Sequence, residues 1–105
     1  MTEEINNLNT DLKELFSENK LDELYDKLDG IDGEIVTEIT LYNYDIIKKY
    51  YDTEKYSLII QYIRFVAFTS FLCEYSFKRG LFTEERFKEI MTVYENIFQL
   101  LQENK

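Results

Sequence analysis

The stretch from Tyr56 to Phe77, YSLIIQYIRFVAFTSFLCEYSF, limits the possible folds most. It carries two charges, Arg64 and Glu74, in a chain of which 31% is charged. On a helical projection Leu58, Ile59, Tyr62, Phe65, Val66, Leu72, Cys73 and Phe77 share one broad side. Phe68, Phe71 and Tyr75, with Ile60 near them, make a second apolar patch. A slanting row of Gln61, Arg64, Ala67, Ser70, Glu74 and Lys78 separates the two. A surface helix needs only one apolar stripe. A helix with two is packed on both, or packed on one and offered to a partner on the other.

A membrane span is the competing reading, and it needs about 20 apolar residues with few or no charges. Arg64 interrupts the segment, and Ser57, Gln61, Thr69, Ser70 and Glu74 dilute it. A charge near the bilayer centre is costly. The sequence therefore predicts a buried central helix over about 53–79, capped by Asp52 or Thr53 and closed at Gly80.

The flanking segments are amphipathic. Glu3 to Phe16 reads as a helix with Thr2 as N-cap and an apolar stripe of Ile5, Leu8, Leu12, Leu15 and Phe16. Lys20 to Leu28 reads as a second, short helix bearing Leu21, Leu24, Tyr25 and Leu28, so 1–29 forms an acidic helical hairpin. Asp29–Gly30–Ile31–Asp32–Gly33 is a turn. Residues 34–52 open with β-branched EIVTEIT, which suits a strand, but Ile35, Ile39, Tyr42, Ile46 and Tyr50 recur at helical spacing and no second strand candidate exists. Helix is the preferred reading. Thr83 followed by Glu84 and Glu85 marks the start of a last helix over 83–102, with Phe82 placed to staple to Phe87. The short link at Gly80 folds that helix back against the central one. The expected fold is all-α: one domain spanning 1–105, an antiparallel bundle or helix-hairpin stack of four to five helices. No tetratricopeptide-like period is present.

Charge is unevenly spread. Residues 1–38 hold twelve acids and three lysines, net −9, whereas residues 39–105 hold nine acids and nine bases, net zero. Direct nucleic-acid binding needs Lys and Arg to neutralise phosphates, so it is not expected. A protein with a basic surface is the expected partner. The single cysteine, Cys73, cannot form an internal disulfide, and the start MTEEINNLNT lacks a signal-peptide pattern. A reduced core thiol in a cytoplasmic protein is expected.

Chemistry is sparsely provided for. The absence of histidine removes the commonest general base and metal ligand. One cysteine leaves no zinc site, and Cys73 has only acidic Glu74 beside it. The acids around Gly30 and Gly33 do not match a calcium loop. Placing Gly33 sixth puts Leu28 and Ile39 at the terminal ligand positions, and placing Gly30 sixth puts Tyr25 and Val36 there. No phosphate loop or nucleophile elbow occurs. No enzyme activity, metal or cofactor is expected.

Six of the nine tyrosines, Tyr42, Tyr44, Tyr50, Tyr51, Tyr56 and Tyr62, cluster over twenty-one positions and cannot all share one face. The reading that follows, with a bacteriocin-type immunity protein as a further alternative, is a small binding protein. It is an inhibitor or regulator of anti-defence (including anti-CRISPR) or immunity type, whose target could be a nucleic-acid-binding surface of another protein. Asp11, Glu14, Glu18, Asp22, Glu23 and Asp26 would steer it to a basic surface, with Tyr44 and Tyr51 as exposed anchors. The alternative is a self-associating bundle, a homodimer or a subunit of a larger assembly, joined through Phe68, Phe71 and Tyr75.

Overall fold

The computed structural model describes residues 2–103, which form six helices and no strand. They are α1 (Glu3–Ser17), α2 (Leu21–Asp29), α3 (Gly33–Asp52), α4 (Tyr56–Gln61), α5 (Ile63–Lys78) and α6 (Glu84–Glu103). Thr2 caps α1 by accepting from the Ile5 N–H at 3.2 Å. Asp32 caps α3 by accepting from the Glu34 N–H at 2.8 Å. Thr83 accepts from the Arg86 N–H at 3.1 Å at the start of α6. The β-branched run at the head of α3 is helical. Val36 and Ile39 are buried, and the Thr37 and Thr40 hydroxyls donate to the Gly33 and Val36 carbonyls one turn back.

Three helices end in the same way. The Lys20 N–H donates to the Leu15 carbonyl, Lys55 to Tyr50 and Leu81 to Ser76, each at 2.9 Å. These are Schellman closures with Asn19 (φ 59°), Glu54 (φ 57°) and Gly80 (φ 85°) in the left-handed position. At Gly33 the constraint is space: a Cβ there would lie 2.8 Å from Leu81 Cδ2.

The expected continuous helix over 53–79 is instead two helices, broken at Tyr62 (φ −105°, ψ 33°) without proline or glycine. The break keeps both halves in contact with α3 while α5 also meets α1 and α6. The boundary before it shifts as well. Thr53 donates back to the Lys49 carbonyl at 2.8 Å and Asp52 pairs with Lys48, so both residues serve the end of α3 and neither caps α4. Phe87, expected to meet Phe82, stacks on Phe77 of α5 with centroids 4.2 Å apart.

α5 lies between two apolar clusters. Phe68, Leu72 and Tyr75 face Leu12 of α1, Leu24 and Leu28 of α2, and Val36 and Ile39 of α3. Val66 and Cys73 face Tyr44 and Ile47 of α3, Ile59 of α4, and Ile90, Tyr94 and Ile97 of α6. Both apolar sides of the central segment thus pack within the chain, with Ile60 and Tyr62 left exposed. Phe68 is fully buried and Tyr75 is 8% exposed, so neither presents the self-association surface assigned to them with Phe71. The dividing row keeps its polar ends, Gln61, Arg64, Glu74 and Lys78, in solvent.

Candidate protein-binding face

α2 is only nine residues long and buries just Leu24 and Leu28. Leu21 and Tyr25, one turn apart on its apolar side, stay 39% and 43% exposed. Tyr25 packs edge-on against Phe71 of α5, with centroids 5.4 Å apart, and lies 6.1 Å from the Tyr75 ring. Phe16 of α1 completes the group at 5.5 Å from Phe71. The rings fix one another, so Tyr25 is an exposed aromatic already held in place.

Polar bonds tie α2 to α5 beside these rings. The Tyr75 hydroxyl donates to Asp29 Oδ1 at 2.7 Å. The Arg79 guanidinium donates to the Leu28 carbonyl at 3.1 Å and the Ile31 carbonyl at 2.8 Å, closing the C-terminal end of α2. It also reaches the Tyr75 oxygen at 3.4 Å. Burial and the bond to Asp29 push the Tyr75 phenol above its ordinary pKa, against a smaller opposing effect of Arg79. Tyr25, Asp29, Phe71, Glu74, Tyr75, Lys78 and Arg79 line an open cleft of about 290 Å³ between the two helices.

The six acids expected to act together are all exposed but not on one face. Asp11 lies across from Lys27 at 3.6 Å, and Glu18 pairs with Lys20 at 2.9 Å. Helical spacing puts Glu23 on the Lys27 flank of α2, toward α1, and Asp22 and Asp26 on the opposite flank with Asp29, next to Tyr25. Glu14, Asp22, Glu23 and Asp26 make no ion pair among the described residues. Three of these four stand on α2.

Of the expected aromatic anchors, Tyr44 is 2% exposed, so that assignment is corrected. Its ring packs edge-on against Tyr94 at 5.8 Å, because the inward side of α3 must fill the space over α6. Tyr51 is half-buried against Tyr56, with centroids 6.0 Å apart. The sequence places Leu21 and Tyr25 on an apolar stripe and Asp29 in a turn, and none of them among the binding residues. The available signal was the shortness of α2: so few turns cannot bury a four-residue apolar stripe.

Cys73 is fully buried, and burial, aided by the charge of Glu74, pushes its thiol up to about 12. It stays protonated near neutral pH. Among the described residues no His, Cys, Asp or Glu cluster could hold a metal ion, and no helix is long and apolar enough to cross a membrane. Comparison of the chain with protein-family models, with curated proteins and with solved structures returns no match.

Proposed function

We propose that this chain is a non-enzymatic protein-binding inhibitor or regulator, of the anti-defence, anti-CRISPR or immunity kind, that docks the α2–α5 face on a basic surface of its partner. The observation that supports this most is the juxtaposition on α2. Unpaired Asp22 and Asp26 flank the exposed, prepacked Tyr25. Acids at a rim raise the association rate of oppositely charged surfaces, and a fixed aromatic lowers the dissociation rate because little side-chain freedom remains to be lost.

The test is capture of the partner from the native cell with the full chain, followed by binding kinetics on the captured protein. Asp22→Lys with Asp26→Lys should slow association about tenfold or more at low salt, with the difference shrinking at high salt. Tyr25→Ala should chiefly speed dissociation, by about tenfold or more. Association that ignores both salt and charge reversal would remove the electrostatic part, and full affinity in Tyr25→Ala would move the site off this face.

A further inference from the structure

A second cleft, of about 260 Å³, is lined by α1, α3, α4 and α5 and shares no residue with the first. Ile46 and Tyr50 of α3, Leu58 of α4, Tyr62 at the helix break and Phe65 of α5 form its walls. No acid lines it, and its one charged group is Lys13 of α1. The Lys13 ammonium sits over the Phe65 ring, 5.5 Å from the centroid, and has no ion-pair partner among the described residues. The ammonium thus meets that ring and is not neutralised by an acid among them. The break at Tyr62 leaves that ring 52% exposed beside the cleft.

From these observations we infer a binding site for a free amphipathic monocarboxylate of the medium-chain fatty-acid type. Its chain lies along the apolar walls and its carboxylate meets Lys13. The size of the cleft selects the class. It falls below the range of drug-sized pockets, and a partner helix, about 10 Å across, cannot enter it. An apolar wall with a single convergent cation fits a ligand with one anionic end and no other polar group. The site is separate from the α2–α5 face and does not depend on the reading given to that face.

The probe is sodium decanoate below its micelle concentration, titrated into the full chain and followed by amide and methyl NMR shifts, with decanol as the uncharged comparator. Saturable shifts at Ile46, Ile59 and Val66 are expected. Lys13→Gln, at an exposed position, should weaken decanoate about fivefold and leave decanol unchanged. Leu58→Trp should abolish binding of both, by filling the cleft. Absence of saturable shifts overturns the inference, as does a Lys13→Gln variant that binds decanoate unaltered. So does a chain that cosediments with anionic phospholipid vesicles while ignoring free decanoate.

Discussion

Two hydroxyls in the core have no hydrogen-bond partner, and this makes a quantitative prediction. Tyr44 and Tyr94 are buried, their rings touch, and neither phenol oxygen is bonded. The Thr69 hydroxyl, nearby, donates to the Val66 carbonyl at 3.0 Å and makes no hydrogen bond with the Tyr94 phenol. An unsatisfied buried hydroxyl costs about 1–3 kcal/mol. Tyr94→Phe removes that cost and keeps the ring contact with Tyr44. The gap it leaves is smaller than a methyl group, so it costs less than about 1 kcal/mol. The net expectation is stabilisation of about 1 kcal/mol. With a urea m-value of about 2 kcal/mol/M, the midpoint followed by circular dichroism should rise by about 0.5 M at unchanged slope. Tyr44→Phe should act in the same direction, and the double variant should fall short of the sum because the two rings are in contact. A midpoint that falls by a similar amount at unchanged slope would refute the reasoning, since it would mean that the Tyr94 hydroxyl is bonded in solution.

Alkaline pH should destabilise the fold, because burial raises the pKa of Cys73 from 9.0 to about 12 and also raises those of Tyr44 and Tyr94. The unfolded chain releases these protons first, so the stability is fully present below about pH 9 and falls as pH rises toward 12. Each fully differential group removes about 1.4 kcal/mol per pH unit, and urea midpoints should show Cys73→Ala delaying the onset. A second expectation concerns Glu54, which holds a left-handed conformation (φ 57°). Glu54→Gly should stabilise by about 0.5–1 kcal/mol, the part of the left-handed penalty left after glycine's own entropy loss. A lower urea midpoint would show that the Glu54 side chain contributes something that its contacts do not reveal.

Helix identity was legible wherever one residue type carried one physical cause. Thr2 and Thr83 each cap the helix that follows them, and Gly80 closes α5, as their positions in the sequence imply. The two-sided pattern of Tyr56–Phe77 correctly indicated packing on both sides, because periodicity reports burial whichever neighbour provides it. The α3–α4 boundary was not legible. Its left-handed position is taken by Glu54, a residue that gives no turn signal, while Asp52 and Thr53 look like caps for the next helix and serve the previous one. The break at Tyr62 was hidden for a similar reason, since no proline or glycine marks it. Exposure of individual tyrosines was least legible. Tyr25 and Tyr44 both lie at helical spacing among apolar residues, yet one is exposed and the other buried. The difference is the number of helices available to cover each.

The acids of α2 can be sorted by whether the fold itself accounts for them. Asp22 and Glu23 stand in the first turn, where the helix dipole favours negative charge, so stability alone explains their presence. Asp29 stands at the unfavourable end but is bonded by the Tyr75 hydroxyl. Asp26 has neither justification. It lies near the C-terminal end of a nine-residue helix, one turn from Asp22, and has no ion-pair partner among the described residues. Like charges at that spacing cost about 0.2–0.5 kcal/mol, and the dipole adds a similar amount. A residue that lowers the stability of its own helix and sits beside an exposed, fixed aromatic ring is the one for which folding offers the least explanation. Among the acids on this face, Asp26 is therefore where charge removal most cleanly separates the two roles. Removing its charge should leave the fold slightly more stable, so any loss of partner association there cannot be attributed to unfolding.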